Sequence, residues 1–180
     1  MLKIVTVPNP ILTAPTQPVK NINEPVRQLI KQMAVTLNAQ VDPQGVGLAA
    51  PQIGQSLALF IMKPSPDAAP RAFINPKIRR LIFSKAKKPV SSAKKTRRHK
   101  LEGCLSIPKI WSPIGRAIKV SLEYQDLAGK INTKWFTSFE AVIIQHEVDH
   151  LEGILFTKRA IEQSLPVYEE QGKKLTKVEI

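Results

Sequence analysis

The 180-residue chain carries 27 Lys and Arg against 14 Asp and Glu, a formal charge of +13, and is 43% hydrophobic. That fits one globular domain over 1–180 with an apolar core, and it excludes two domains of ordinary size, wholesale disorder and a membrane helix, since the longest apolar run is only Leu57–Met62. Met1-Leu2-Lys3-Ile4 does not begin a secretory signal and the single cysteine, Cys104, excludes an intramolecular disulfide, so a cytoplasmic protein without a membrane partner is expected.

In chain order, a first helix is predicted over Val26–Leu37, where apolar residues at 26, 29, 30, 33 and 37 form a stripe behind Glu24-Pro25, a proline suited to a first turn. Short β-like runs follow at Leu57–Met62 and Ala72–Ile74. From Lys77 to Lys100 there are 11 Lys and Arg and no acid, which leaves the rest of the chain with 16 basic and 14 acidic residues. The basicity therefore belongs to one segment. Its part from 85 to 100 is too poor in large aliphatic residues to bury itself and is expected to be a mobile loop. A run of cations without an acid is also an electrostatic footprint for phosphate, so ribosomal RNA is a candidate partner beside the plainer reading of a solvated loop.

Further β-like runs at Ile118–Tyr124 and Ile131–Phe136 flank Gln125-Asp126-Leu127-Ala128-Gly129-Lys130 like the arms of a hairpin. A second helix is expected from Phe139 to Leu151, opened by Thr137 and Glu140 as a capping box. It is apolar nearly all round except for His146, Glu147, Asp149 and His150, so those groups should sit deep in the domain and need partners. This mixture of helices and hairpin-like strands points to an α+β fold.

His146-Glu147-Val148-Asp149-His150 is an H-E-x-x-H pentapeptide. On a helix both imidazoles face one point, and Glu147 is rotated about 100° from His146, beside that point. Two neutral imidazoles can bind a divalent metal whose water the carboxylate deprotonates; the plainer alternative is a pair of hydrogen-bonded core histidines. A catalytic site usually has a third protein ligand. The metzincin pattern fails, because Gly153 fits but Phe156 stands where its last histidine belongs. His99 lies in the basic segment, Glu162, Glu169 and Glu170 are zincin-like alternatives, and Cys104 is the remaining candidate, either a thiolate ligand or a small buried hydrophobe. Phe139, Val142, Ile143 and His146 share one helix face, an apolar wall running up to a histidine that is either a side-chain slot or plain core.

Cys104 lies in Glu102-Gly103-Cys104-Leu105-Ser106-Ile107-Pro108, and far upstream stands Gly45-Val46-Gly47-Leu48-Ala49-Ala50-Pro51-Gln52-Ile53-Gly54. With Gln145-His146-Glu147-Val148-Asp149-His150-Leu151-Glu152-Gly153, these stretches resemble, in order, the three signature motifs of the peptide deformylase family, and the resemblance runs from about Val7 to Phe156. It implies an α+β fold of mixed, mostly antiparallel sheets around a buried helix that carries the two histidines. The activity it implies is hydrolysis of the N-formyl group from the initiator methionine of new polypeptides, with formyl-methionyl nascent peptides as partners and formate as product.

By the same resemblance Cys104, His146 and His150 would be the metal ligands, with water in the fourth position, and Glu147 the general base. Gln52 and the backbone N–H of Leu105 would be oxyanion donors, although Gln52 without its motif reads as a structural amide holding the glycine-rich turn. Val46 matches a pocket position. Gly45 and Gly47 leave room for a substrate backbone, added as an extra strand. Cys and two His suit Zn²⁺ or Fe²⁺; the family favours Fe²⁺ in the cell, replaceable by Ni²⁺ or Co²⁺.

The sequence departs from the family pattern at Ser138-Phe139-Glu140-Ala141, at Trp111, which borders the implied substrate groove, and in the length of Lys77–Leu101. The rival reading is a basic ribosome- or RNA-binding module whose metal is structural, against which stand Glu147 and Gln52.

Overall fold

Of the apolar run Leu57–Met62, residues Leu59–Met62 form a strand buried on both faces, while Leu57 and Ala58 lead into it half-buried. A computed structural model describes residues 1–84, 101–172 and 174–178. The stretch 85–100, with the expected mobile loop and His99, lies outside the described residues. After a 3-10 turn at Pro10–Thr13 come α1 (Glu24–Asn38), β1 (Gly47–Ala49), a second 3-10 turn (Ala50–Ile53), β2 (Leu59–Met62) and β3 (Arg71–Ile82). Then follow β4 (Glu102–Cys104), β5 (Ile107–Ser112), β6 (Lys119–Gln125), β7 (Ile131–Thr137), α2 (Ser138–Leu151), α3 (Phe156–Glu162), β8 (Val167–Gln171) and β9 (Lys174–Val178).

The strands form two sheets, ordered β1-β2-β3-β6-β7 and β4-β5-β8-β9. Every described strand pair is antiparallel, and a parallel bridge joins Gln17 to Leu57. Alternation along β2 sends Phe60 and Met62 to one face, where they meet Phe73, Val120, Leu122, Phe136 and the α2 residues Ile144 and Val148. Leu59 and Ile61 point the other way, onto Ile30, Met33 and Leu37 of α1. A strand buried on both faces has no polar positions to reveal its period.

The predicted helix over Val26–Leu37 is α1, capped by Asn23, whose Oδ1 accepts the Val26 N–H at 3.3 Å, with Pro25 in its first turn. The predicted hairpin is β6–β7, closed by Asp126, whose Oδ1 accepts N–H bonds from Ala128 and Lys130 at 2.9 and 3.0 Å, and by Gly129 at φ +80°. Two expectations need correction. Thr137 does precede α2, but its side chain makes no cap bond, and the Glu140 carboxylate pairs with the Arg71 guanidinium instead of closing a capping box. The run Ala72–Ile74 is the start of a strand that continues to Ile82: Asn75-Pro76 and the following cations read as an end, but Asn75 turns through φ +49° in a bulge and pairing with β6 resumes at Lys77.

Asn75 holds that bulge with its side chain. Its Oδ1 accepts the Val19 N–H at 2.8 Å, and its Nδ2 donates to Val19 O at 2.9 Å and to Gln125 Oε1 at 2.7 Å. Asn75→Ala should therefore cost about 3 kcal/mol, from stranded partners and a Cβ in a left-handed conformation, and lower Tm by roughly 6–12 °C. Asn75→Gly should recover about 1 kcal/mol of that. Thermal unfolding checks both, and an alanine variant melting within about 2 °C of the parent would contradict the assignment.

Candidate metal centre and substrate cavity

Helix α2 can carry polar groups into the interior because its other residues anchor it. Ile143, Ile144, Val148 and Leu151 pack into the core against the five-stranded sheet. Gln145 clamps it to the loop before β6: its Oε1 accepts the Ala117 N–H at 2.9 Å and its Nε2 donates to Ala117 O at 3.0 Å. The chain leaves the helix through Gly153 at φ +72°, where a Cβ would collide with the Thr13–Ala14 backbone, so only glycine fits.

So held, α2 aims His146 and His150 at Cys104 on the edge of the other sheet. The three ligand atoms lie within 4.8 Å of one another, and Cys104 Sγ is 3.1 Å from His150 Nε2. The two rings stand edge to face at 4.9 Å between centroids, and their nitrogens turn toward Cys104 and Glu102, which sets aside the plainer picture of a mutually bonded core pair. Burial alone would raise the Cys104 thiol, but the charge and hydrogen bonds of His150 and His146 outweigh it and hold the group well below the ordinary thiol range. The sulfur also accepts from the Ser106 N–H at 3.4 Å and from Gln52 Nε2 at 3.5 Å. A thiolate and two imidazoles converging from two elements suit a borderline divalent cation.

The other motif residues gather around this centre. Glu147 is buried on the same helix; burial pushes its carboxyl up to about 7, and its Oε2 has no hydrogen-bond partner among the described residues. Gly47 makes that position available, since a Cβ there would overlap the Glu147 carboxylate. Gly45 is likewise closed off by its own fold, with Leu37 of α1 occupying the place of a side chain. Gln52 serves the turn and the site together: its Oε1 accepts the Ala49 N–H at 2.8 Å, which fixes the amide so that Nε2 faces Cys104 Sγ and Ser106 Oγ.

A mostly apolar cavity of about 600 Å³ opens beside these groups. Cys104, Leu105, His146, Glu147 and Gln52 line it, together with Gly45, Val46, Gly47, Phe139, Val142 and Ile143. Every site residue that the resemblance implies except His150 thus borders this space, and His150 stands behind Cys104, its Nε2 3.1 Å from Sγ. Glu162, Glu169 and Glu170 are elsewhere, bonded to Arg159, Gln171 and Trp111.

Sequence reasoning missed the charges behind the ligands. Glu102 Oε1 is 2.7 Å from His146 Nδ1, and the same carboxylate takes two bonds from Arg116, at 3.0 and 2.6 Å. Arg116 also donates to Asp149 Oδ2 at 2.6 Å, and Arg159 reaches Asp149 Oδ1 at 2.7 Å. The side chains of Glu102, Arg116 and Asp149 are each less than a tenth exposed. Burial would raise the Glu102 carboxyl, yet His146 and Arg116 together hold it down at about 2. The signal for this network was present in part: Asp149 on a buried helix required a cation, but nothing local named Arg116, 33 residues away. Glu102→Gln should lower stability, since Arg116 loses a buried charge partner, and weaken metal binding about 10–100-fold, because the group that orients His146 loses its charge. Competition against a chromophoric chelator measures this, and unchanged affinity would dismiss Glu102 as the orienting group.

The family model for polypeptide deformylases matches residues 1–165. A peptide deformylase of Dictyoglomus turgidum is 37% identical over 164 residues, covering 91% of this chain and 95% of its own length. Another, of Pseudothermotoga lettingae, is 36% identical over 154 residues, covering 86% and 80%. The crystal structure of peptide deformylase from Thermotoga maritima superposes with a TM-score of 0.73 at 32% identity, covering 88% of this chain and 97% of its own. The Synechococcus elongatus enzyme in complex with actinonin gives 0.74 at 32%, covering 88% and 79%. Matched along most of its length in sequence and in fold, the chain belongs to the peptide deformylase family.

Proposed function

We propose that this chain, a metal-dependent hydrolase of the deformylase family, removes the N-formyl group from the N-terminal methionine of newly made polypeptides and releases formate. The observation that carries this reading is the convergence of Cys104, His146 and His150 beside a buried carboxyl, Glu147, at the wall of an apolar cavity. Those three side chains would hold a divalent ion, which would supply the Lewis acidity that makes water nucleophilic near neutral pH.

The chain's own groups do the rest. Glu147, buried beside the ligands with its Oε2 unbonded among the described residues, takes the proton that the attacking water gives up and hands it to the leaving methionine nitrogen. The Gln52 amide and the Leu105 backbone N–H donate to the oxyanion that develops on the formyl oxygen. The methionine side chain occupies the slot walled by Val46, Phe139, Val142 and Ile143. Its backbone pairs as an added strand between the edges of β1 and β4, near Gly45–Gly47, since each of these strands has a neighbour on one side only among the described residues. A basic RNA-binding module with a structural metal would have no use for Glu147 or for a slot ending at the ligands.

The donors suit Fe²⁺ or Zn²⁺ alike, and the family resemblance favours Fe²⁺ in the cell, replaceable by Ni²⁺ or Co²⁺. We also propose that it is one catalytic domain over 1–180 working in the cytoplasm; the cations of Lys77–Lys100 are either a solvated segment or a footprint that docks it on ribosomal RNA near emerging chains, and the co-sedimentation test below separates the two.

Formate release from a formyl-methionyl peptide tests the reaction. Alanine at Cys104, His146 or His150 should lose stoichiometric metal, as should chelation of the parent protein, whereas Glu147→Ala should keep the metal and lose turnover. A metal-replete, active Cys104→Ala protein would sink the ligand assignment. Gln52→Ala should lower kcat and kcat/KM together by about 10²–10³ with little change in KM, and a raised KM alone would make Gln52 a substrate holder. Replacing the lysines and arginines of Lys77–Lys100 by Ser or Gln should leave peptide turnover within a few-fold but weaken ribosome co-sedimentation at low salt; unchanged co-sedimentation discards the docking.

A further inference from the structure

Trp111 lines the cavity, yet the reaction as assigned gives it nothing to do. It stands opposite Gly103 across β4–β5 and opposite Tyr168 across β5–β8. A Cβ on Gly103 would come within 2.6 and 2.7 Å of the indole carbons Cζ3 and Cε3, so the ring lies over the glycine. On its far side the indole Nε1 donates to Glu170 Oε2 at 2.9 Å. Gly103, Trp111, Tyr168 and, two residues along β8, Glu170 share one face of the sheet. The ring is thus fixed at both ends, by a residue without a side chain and by a carboxylate from the C-terminal hairpin. It forms the surface of that face beside β4, the edge to which the peptide adds.

We propose that Trp111, clamped by Glu170, is a specificity-determining residue: its indole is a platform for one of the two side chains that follow the formyl-methionine, favouring an aromatic there and disfavouring an acid. This rests on the strand-wise binding proposed above. Strand side chains alternate, so only one of the two positions can face the ring. A second aromatic gains from stacking on an immobilised indole, and the nearby Glu170 carboxylate repels an acidic side chain.

The test uses two peptide series, formyl-Met-Xaa-Ser and formyl-Met-Ser-Xaa, with Xaa as Phe, Ala or Glu. Phe should exceed Ala in kcat/KM about three- to tenfold at one position only, through KM, with Glu below Ala. Trp111→Ala should bring the Phe/Ala ratio to about one. Trp111→Phe, which keeps a ring, should retain part of it, and Glu170→Ala, which frees the ring, should reduce it. Because the chain has two tryptophans, Trp135→Phe leaves Trp111 as the sole indole, and its emission should respond more to the product Met-Phe-Ser or Met-Ser-Phe than to the alanine peptides. A flat ratio at both positions in the parent, or a ratio that survives Trp111→Ala, overturns the proposal. No turnover of any formyl-methionyl peptide by the parent would instead remove the reading beneath it.

Discussion

One carboxylate, that of Glu102, ties the helix bearing the histidines to the strand bearing the cysteine. It faces His146 Nδ1 and grips Arg116, and Arg116 in turn reaches Asp149, one residue before His150 on α2. Two buried acids and a buried guanidinium next to a metal site would be costly if any one were missing, and removing one partner of such a pair typically destabilises by about 3–5 kcal/mol. Here each negative oxygen has a donor, and Arg159 supplies the second cation from the margin. The chemical consequence lies on the other side of the imidazole. Donation from Nδ1 to Glu102 fixes the ring's orientation and leaves Nε2 for the metal, so the same contact that joins two elements also sets the ligand's electronic state.

The site was more legible in the sequence than the fold around it. H-E-x-x-H declares its geometry through helical spacing alone, and Phe139, Val142 and Ile143 declare a face that ends at His146. Helix α1 and the β6–β7 hairpin were equally plain, because an amphipathic stripe and a Gly-containing turn are local signals. The two edge strands that border the cavity, β1 and β4, were not read as strands. They have three residues each, Gly47–Ala49 and Glu102–Cys104, too few for a period to show. β8 and β9 are half polar and owe their pairing to β5 and to each other, which is a tertiary matter.

Single residues make contacts on two sides where the sequence offered one purpose or the other. Gln52 could be a turn-holder or a donor; its carbonyl oxygen does the first, and in doing so turns the amide nitrogen toward Cys104. Gly45 and Gly47 suggested room for a substrate. A Cβ at either position would also meet Leu37 or the Glu147 carboxylate, so the same glycines that border the cavity make room for the chain's own side chains. Neither double use has a local signature, because each depends on a residue distant in sequence arriving at the same place.

The shortness of β1 and β4 also bounds what this enzyme can demand of a peptide. An exposed sheet edge is a hazard, since its unpaired N–H and C=O groups invite any other strand. Three-residue edges facing a cavity limit that invitation to a chain terminus small enough to enter. In the strand-wise binding proposed above they would offer only a few backbone groups, so recognition by strand pairing would fade within a few residues of the methionine, and whatever lies beyond would be read by single side chains. Backbone groups are common to every sequence, so binding of that kind is indifferent to which protein is being made. In that proposal discrimination falls to the apolar slot and to Trp111, whose ring is held over Gly103 beside the β4 edge.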